Sequence, residues 1–357
     1  MSSPRHPLIS AVFTQENLDA LLVLSRPDLR YLCGFTGTDG VLILTRDQAL
    51  FLTDSRYQQQ ARTEVTADAI VCYQEKLQAV VELLTSHGCQ RIAFDARHLN
   101  VARYFELKNR MESAGMTLIP LSDELAMLRA VKTDEEIRQL KKVADLNHQA
   151  FTEVLPLIKP GVPERQIALE LEFALKQRGG QANAFDFIVA SGQRGALPHG
   201  VASDKKIATG ELVTIDFGTC LSGYHSDETV TLAVGEIDRN LRQIFDIVLE
   251  AHDLALAAVR PEMRICDLDA VAREFISSKG YGQYFGHGLG HGVGLEVHES
   301  PTISSRNEDL LQAGMVITIE PGIYVPAVGG VRIEDTIAVT RTGYQCLTSI
   351  PKELRLL

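Results

Sequence analysis

The chain has 357 residues, and at about 150 residues per domain this length predicts two domains. Its 35 Lys and Arg residues against 46 Asp and Glu residues give a net charge of −11, which argues against the basic surface of a nucleic-acid-binding protein. A hydrophobic content of 45% is that of an ordinary globular protein and excludes general disorder.

The first third of the chain alternates between strand-like and helix-like segments. Apolar runs of strand length lie at 21–24, 41–44, 49–53, 91–95 and 117–120. The runs 41–44 and 49–53 are separated by a short polar turn, which predicts a β-hairpin. Helical spacing of apolar residues occurs at 56–62, 77–86 and 101–114. This alternation predicts an α/β domain over residues 1–125.

The pattern changes after residue 125, and we expect a linker at 126–133 and a second domain at 134–357. Thr133 followed by three acidic residues is typical of a helix start, and this helix is predicted to run to about Ile158. A second helix is predicted from Pro163 to Gly179. Further strands are predicted at 187–191, 211–218, 224–234, 316–319 and 331–339, and further helices at 238–259 and 265–279. Strands with segregated helices predict an α+β domain with a mainly antiparallel sheet.

Four carboxylates interrupt the apolar strands of this second domain. They are Asp216 in VTIDFG, Asp227 in SDETVTL, Glu320 in VITIEPG and Glu334 in VRIEDTIAV. An unpaired carboxylate is costly to bury, and a single one is more often paired with an arginine or placed at a sheet edge. Four of them in one domain instead indicate a functional site.

A glycine-rich segment supplies histidines to the same domain. Residues 286–299 contain five glycines together with His287, His291 and His298. Histidine is the commonest side-chain metal ligand and also serves as an acid or base near neutral pH. A phosphate-binding loop is a poorer interpretation, because no Lys-Ser or Lys-Thr pair follows the glycines. Carboxylates with imidazole suit two divalent ions, which share a bridging water and convert it to a hydroxide nucleophile, so the residues predict a hydrolase.

Five motifs of this domain resemble those of a known enzyme family. They are IDFG around Asp216, SDET around Asp227, HGLGHGVGLEVHE around His291, TIEPGIY around Glu320 and VRIEDT around Glu334. Their spacing looks like the metal-ligand set of the pita-bread metallopeptidases, the group of aminopeptidase P, prolidase and methionine aminopeptidase. Residues 31–62 resemble the creatinase-type N-terminal domain of the proline-specific branch, peptidase family M24B, which methionine aminopeptidases lack. The resemblance implies an α+β chain: a pita-bread domain, a curved antiparallel sheet with helices, after an α/β N-terminal domain.

The resemblance also implies a role for each matching residue. As metal ligands it implies Asp216 for one ion, Asp227 and Glu334 as bridges between two ions, and His291 and Glu320 for the second ion. As catalytic residues it implies His199, His287, His298 and Glu320, and as substrate-binding residues His199, His298 and Arg332. Two divalent ions per chain follow, with Mn²⁺ expected first and Co²⁺ or Zn²⁺ as alternatives.

The implied reaction is hydrolysis of the bond between an N-terminal residue and proline. An activity like that of aminopeptidase P on longer peptides is our first expectation, and prolidase activity on Xaa-Pro dipeptides is the alternative. Creatinase shares the two-domain fold and works without metals, but it does not keep the five ligand positions. A catalytically inactive, peptide-binding relative is the alternative from a different functional class.

One position departs from the family pattern. The second motif of the family usually reads Asp-x-Thr-Arg, whereas Val230 occupies the arginine position here. No ligand is lost, but a fixed positive charge is removed, and we expect an effect on packing or on recognition of the substrate.

The remaining features concern partners and location. The six cysteines form no CxxC pair, and we expect reduced thiols. No apolar stretch has the length of a membrane span or the form of a signal peptide, so we expect a soluble, cytoplasmic protein. The resemblance implies a homodimer or homotetramer that binds a peptide with proline in second position, and neither nucleic acid nor membrane.

Overall fold

The computed structural model describes residues 7–122, 124–125 and 127–357, and these residues group into two compact units, one up to Leu128 and the other from Arg129. The domain predicted at 1–125 and the linker predicted at 126–133 include residues 1–6, Asp123 and Ala126, which lie outside the described residues. Each unit contains hydrophobic clusters of its own. No helix in the described part of the chain is both long and apolar enough to cross a membrane.

The first unit contains a six-stranded mixed sheet and five helices. The strands are β1 (Ala20–Val23), β2 (Gly40–Thr45), β3 (Ala49–Thr53), β4 (Ala69–Cys72), β5 (Arg91–Asp95) and β6 (Thr117–Leu121), in the order β4-β3-β2-β1-β5-β6. The helices are α1 (Pro7–Gln15), α2 (Arg26–Cys33), α3 (Gln58–Glu64), α4 (Lys76–Ser86) and α5 (Val101–Ser113). The hairpin of β2 and β3 and the alternation of strands and helices confirm the α/β prediction.

The strands of this sheet are apolar on both faces because each face buries its own core. Leu21, Leu42 and Phe51 belong to one cluster of buried residues, whereas Leu22 and Ile43 belong to another. Successive side chains on a strand point to opposite faces, so neighbouring residues enter different cores. This explains the continuous apolar runs that the sequence shows.

Three elements of the first unit were missed: α1, α2 and β4. The Arg-Pro-Asp sequence at 26–28, which follows the apolar run 21–24, forms the first turn of α2. Proline is tolerated there because its missing N–H would have no partner within the helix. The Ser25 hydroxyl accepts a hydrogen bond from the Asp28 N–H at 3.3 Å and caps the helix.

The second unit contains four helices and a set of antiparallel sheets. The helices are α6 (Asp134–Val154), α7 (Glu164–Gln177), α8 (Arg239–Ala258) and α9 (Ile265–Ser278). The strands are β7 (Ala182–Asn183), β8 (Ile188–Ser191), β9 (Glu211–Phe217), β10 (Thr219–Leu221), β11 (Tyr224–His225), β12 (Glu228–Val234), β13 (Gly290–Gly292), β14 (Glu299–Ile303), β15 (Val316–Ile319), β16 (Gly322–Val325), β17 (Gly329–Arg332), β18 (Asp335–Val339) and β19 (Tyr344–Cys346). The sheets have the orders β12-β9-β8, β14-β13-β15-β18-β19, β11-β10-β7 and β16-β17.

The predicted helix starts and the antiparallel pairing of the second unit are confirmed. Thr133 and Glu136 form a reciprocal capping box at the start of α6. Every pairing between the strands of these sheets, among the described residues, is antiparallel. The α+β prediction for this part of the chain therefore holds.

Two predicted strands are interrupted, and each interruption carries an acidic residue. The segment 224–234 is β11 and β12 with a break at 226–227, and the segment 331–339 is divided between β17 and β18 at 333–334. Because Asp227 and Glu334 lie in these breaks, their side chains need not follow the alternation between the two faces of a sheet that a strand imposes. The chain also forms β13 within the glycine-rich segment and β14 from its last residue onward, neither of which periodicity predicted.

The glycine at position 290 permits a close approach of two strands. A Cβ atom on Gly290 would lie 2.1 Å from the Thr318 carbonyl oxygen, a distance that no side chain tolerates. The neighbouring His291 donates its backbone N–H to the Thr318 hydroxyl at 3.0 Å. The glycine therefore brings the backbone of His291 close to β15.

Val230 packs into the hydrophobic core, away from the acidic cluster. It lies opposite Ile215 in the pairing of β12 with β9, is 2% exposed, and belongs to a cluster that includes Val189 and Phe217. Its neighbour Thr229 bonds to Glu334. Because adjacent residues of a strand face opposite sides, the structure gives Val230 a packing role rather than one in recognition.

A Val230→Arg substitution is therefore expected to destabilise the fold. It would bury an unpaired guanidinium in an apolar cluster, at a cost of about 3 kcal/mol or more in the free energy of unfolding. Denaturant unfolding of the metal-loaded variant measures this loss. A variant with native stability and a changed substrate preference would show that the side chain reaches the site.

Candidate metal centre

Strand ends bring the predicted acidic ligands of the second unit together. Asp216 lies on β9, Asp227 directly before β12, Glu320 directly after β15, and Glu334 between β17 and β18. Thr229 pairs with Asp216 across two strands, and Ile319 pairs with Asp335 across two others, so the acids meet at neighbouring positions. The sheet register thus assembles residues that are far apart in sequence.

The ligand atoms form overlapping groups. Oxygens of Asp216, Asp227 and Glu334 lie within 4.8 Å of one another, and ligand atoms of His291, Glu320 and Glu334 do the same. Glu334 belongs to both groups. The five residues predicted as ligands therefore form one cluster, with a shared carboxylate at its centre.

The hydrogen bonds of His291 leave one ring nitrogen available to a metal. Its Nδ1 lies 3.0 Å from the Gly292 carbonyl oxygen, which only accepts, so Nδ1 carries the proton. Its Nε2 lies 3.5 Å from an oxygen of Asp227 and 3.3 Å from an oxygen of Glu320. A backbone carbonyl on one nitrogen and ligand oxygens around the other is the usual arrangement of a metal-binding histidine.

Two oxygens of the cluster have no partner in the part of the chain that the structure describes. Asp216 Oδ1 and Glu334 Oε1 are buried and accept no hydrogen bond there. Buried carboxylate oxygens normally have a partner, because leaving them without one costs free energy. The cluster therefore fits divalent cations, which would satisfy both oxygens and balance the charge of four carboxylates.

Crowding of these carboxylates shifts their pKa values. Burial, followed by the nearby charges of Glu334 and Asp216, raises the pKa of Asp227 well above its ordinary range. Burial and the charges of Glu320 and Asp216 do the same to the pKa of Glu334. Burial would also raise the pKa of Glu320, but its hydrogen bond to His291 and the charge of that ring lower it to about 2.

Removal of metal is expected to make stability fall as pH rises. Because the pKa values of Asp227 and Glu334 are raised in the folded chain, protonation stabilises the fold. This contribution to stability is complete below about pH 4, the pKa of such carboxyl groups in the unfolded chain. It is lost as the pH rises through their pKa values in the folded chain. Thermal unfolding in chelator at pH 5, 6.5 and 8 should show a falling midpoint, and added Mn²⁺ should remove the slope.

Asp227→Asn is the control for this experiment. It removes one of the repelling charges, so the chelated variant should lose less stability between pH 5 and pH 8 than the chelated parent chain. Equal pH slopes in both proteins, or a slope that metal leaves unchanged, would contradict the electrostatic account.

A hydrogen-bonded chain lies beside the ligands. His287 donates from Nδ1 to the Gly288 carbonyl at 2.8 Å, so its Nε2 accepts from the Tyr324 hydroxyl at 2.9 Å. The same hydroxyl oxygen accepts from Arg332 at 2.9 Å. Burial lowers the pKa of His287, which keeps the ring neutral. Tyr324 was missed as a site residue, although it is the last residue of the TIEPGIY motif.

The guanidinium of Arg332 forms most of its possible hydrogen bonds with other groups of the protein. Its guanidinium donates to Asp216 at 2.6 Å and to the Thr229 hydroxyl at 3.2 Å. It also donates to the Pro198 carbonyl at 3.0 Å, in addition to Tyr324. Four of its five N–H groups are thus committed, and these contacts favour a positioning role over the substrate binding expected from the resemblance.

Two further histidines face the cluster without hydrogen bonds from their rings to the described residues. The rings of His298 and His291 are 4.2 Å apart between centroids, at 66°. Burial and the charge of His291 lower the pKa of His298, and a smaller contribution comes from His199. His199 is exposed in the loop before β9. Imidazoles beside a metal cluster whose nitrogens form no hydrogen bond to the described protein groups are suited to hold a substrate oxygen or to transfer a proton.

Comparison with known proteins agrees with this geometry. Residues 138–341 match the model of metallopeptidase family M24, and residues 5–131 match the creatinase/prolidase N-terminal domain. The Xaa-Pro dipeptidase of Pyrococcus furiosus is 39% identical over 347 residues, which cover 96% of this chain and 97% of that protein.

Two solved structures extend the similarity to the whole fold. An Xaa-Pro dipeptidase from Bacillus anthracis superposes with a TM-score of 0.94 at 41% identity, covering 98% of each chain. An X-Pro aminopeptidase from Thermotoga maritima superposes with a TM-score of 0.88 at 35% identity, covering 96% of this chain and 98% of that one. These findings confirm the predicted combination of a creatinase-type domain with a pita-bread domain. The chain belongs to metallopeptidase family M24, a hydrolase family whose chemistry implies divalent metal ions.

Proposed function

We propose that this chain is a metal-dependent peptidase that hydrolyses the bond between an N-terminal residue and proline. The observation that carries the proposal is the cluster of four carboxylates and His291, with two buried oxygens that have no hydrogen-bond partner among the described residues. Its relatives suggest the substrate class, since the similar proteins of Pyrococcus furiosus and Bacillus anthracis are named Xaa-Pro dipeptidases.

Two divalent ions would be held by the five clustered residues. Asp216 would bind one ion, Asp227 and Glu334 both ions, and His291 and Glu320 the second. Mn²⁺ is the ion we expect first, because carboxylate-rich sites suit it, and Co²⁺ or Zn²⁺ would also fit these ligands. When bound, such ions polarise a carbonyl and lower the pKa of water so that it becomes a nucleophile at neutral pH.

The histidines around the cluster would handle the substrate and its protons. His298, which is exposed and has a lowered pKa, would donate a hydrogen bond to the carbonyl oxygen of the scissile bond. His199 would hold the substrate from the loop before β9. The hydrogen bond from Tyr324 would keep His287 in the tautomer whose Nε2 carries no proton, and this nitrogen would accept and return a proton. Glu320 or one of these histidines would relay a proton to the proline nitrogen as it leaves.

Proline explains why such a site is needed. The bond before proline is a tertiary amide without an N–H group, and the ring fixes the backbone angle φ. A peptidase that binds an extended chain through that N–H cannot hold this substrate. Recognition through the carbonyl oxygen, by metal and imidazole, avoids the missing donor.

Dipeptides are the substrates that the comparisons favour. The Xaa-Pro dipeptidases of Pyrococcus furiosus and Bacillus anthracis are 39% and 41% identical to this chain. The aminopeptidase P activity predicted first from the sequence keeps support from the Thermotoga maritima X-Pro aminopeptidase, at 35% identity. We therefore place prolidase activity first and aminopeptidase activity second.

A product analysis separates the two activities. Metal-loaded protein would be incubated with Ala-Pro, Ala-Pro-Ala and Ala-Ala-Ala, and the products identified by mass. Cleavage of Ala-Pro alone supports the dipeptidase, and release of Ala from Ala-Pro-Ala supports the aminopeptidase. Equal cleavage of Ala-Ala-Ala would overturn proline specificity, and no cleavage of any substrate by fully loaded protein would favour the peptide-binding alternative.

A further inference from the structure

One buried carboxylate holds both ends of the loop that carries His199. Glu164 lies in the first turn of α7, and it is 0% exposed. Its Oε1 accepts from the backbone N–H and the hydroxyl of Ser191, each at 2.8 Å. Its Oε2 accepts from the N–H and the hydroxyl of Ser203, at 3.2 and 2.7 Å. Ser191 ends β8 and Ser203 follows the loop, so the residues between them form a closed loop.

The charge of this carboxylate is balanced from within the same loop. Arg194 forms an ion pair with Glu164 through Nη1, and its Nη2 donates to the Val201 carbonyl at 2.8 Å. The guanidinium therefore links an early and a late residue of the loop. A buried carboxylate with a single cationic partner makes that pair costly to break.

The apex of the loop is held from the opposite side by the metal centre. Arg332 donates to the Pro198 carbonyl at 3.0 Å, and Pro198 directly precedes His199. A Cβ atom on Gly195 would lie 3.0 Å from the backbone nitrogen of Gly330 on β17, so the loop packs closely against that strand. The imidazole of His199 is exposed and makes no hydrogen bond to the described residues. Its position depends on the backbone that Glu164 and Arg332 fix.

We propose that Glu164 is a positioning residue, which sets the place of His199 by clamping the loop 192–202 at both ends. This inference rests on the proposed peptidase function for its activity readout. Glu164 lies outside the metal cluster, and its loss should affect the handling of the substrate rather than the binding of metal.

The Glu164→Gln variant tests the clamp. Glutamine has the same size, but it removes the charge that Arg194 requires and turns an amide NH₂ group toward other donors. A misplacement of about 1 Å in a substrate-binding group can lower the rate by about 100-fold. We expect kcat/KM for Ala-Pro to fall by about 10- to 100-fold, while the Mn²⁺ dissociation constant of the chelated and reloaded protein stays within about twofold.

A double-mutant cycle separates positioning from general destabilisation. If Glu164 acts through His199, then E164Q in a His199→Ala background should lower kcat/KM by less than about twofold, because the group it positions is already absent. Leu171→Ala is the matched control. Leu171 is a buried apolar residue on the same helix, and none of the described hydrogen bonds joins it to the loop. It should lower stability and leave kcat/KM within about threefold.

Hydrogen exchange keeps the clamp testable without any activity. Amides from 191 to 203 should exchange faster in E164Q than in the parent chain, and amides of β9 and β12 should not change. Ser203→Ala provides a milder second variant if E164Q does not fold, with the same direction of change. If the parent chain cleaves no Xaa-Pro bond, the proposed function fails and exchange alone decides the clamp. Unchanged exchange in the loop, or losses from E164Q and H199A that multiply, would overturn the proposal.

Discussion

Asp227→Asn and His291→Ala are each expected to lower the hydrolysis of Ala-Pro by about a thousandfold or more. Asp227 lies in one ligand group with Asp216 and Glu334 and in another with His291 and His298. His291 directs Nε2 at Asp227 and Glu320. Loss of either group would remove a proposed ligand from a site whose bound ions would supply carbonyl polarisation and the nucleophile. A thousandfold loss corresponds to about 4 kcal/mol of transition-state stabilisation. Steady-state kinetics at saturating Mn²⁺, with metal content measured on the same samples, checks this result.

Matched controls separate this effect from general damage. Asp246→Asn changes the same side chain on α8, where it forms an exposed pair with Arg242, and His148→Ala removes a partly exposed histidine of α6 that bonds to Ser349. Both controls should retain hydrolysis within about twofold, as surface substitutions usually do. Turnover near that of the parent chain in both ligand variants would refute the assignment of the ligands.

Arg332→Met should cost about 3–5 kcal/mol in the free energy of unfolding of the metal-free protein. The substitution leaves Asp216 buried among other carboxylates without its cationic partner, which is the costly way to break a buried ion pair. It also removes donors from Tyr324 and from the Pro198 carbonyl. Bound metal should reduce the loss, because divalent ions supply charge to the same carboxylate. Urea unfolding of chelated and Mn²⁺-loaded protein gives both values.

Two further variants show what the arginine contributes. Arg332→Lys keeps the charge but loses the planar fork, so its stability should lie between the parent chain and R332M. Arg178→Met breaks an ion pair with the exposed Glu153 and should cost less than about 1 kcal/mol. An R332M protein that is as stable as R178M without metal would contradict the role given to this ion pair.

The acidic residues that we propose as ligands could be picked out from the sequence because they violate a simple pattern. A carboxylate such as Asp216 within an apolar strand conflicts with burial, and the local sequence shows that conflict directly. Successive side chains of a strand alternate between its two faces, so Val230 lies on the face opposite Thr229. The family motif led us to expect an effect of Val230 on packing or on recognition, and strand periodicity alone would have favoured packing in the core.

Residues that act through distant partners were not predictable in this way. Glu164 has the sequence context of an ordinary acidic residue in the first turn of a helix, a common and weakly informative feature. Its partners Ser191 and Ser203 are 27 and 39 positions away, and no periodicity links them to it. Tyr324 likewise depends on contacts with His287 and Arg332 that form only when the sheets are assembled.

Titration of the metal-stripped protein with Mn²⁺ tests the central claim most directly, with bound metal and Ala-Pro hydrolysis followed on the same samples. The account predicts two ions per chain, no hydrolysis of Ala-Pro by the stripped protein, and hydrolysis that appears as the sites fill. Hydrolysis of Ala-Pro that persists in fully stripped protein, or a chain that binds no divalent ion, would contradict it.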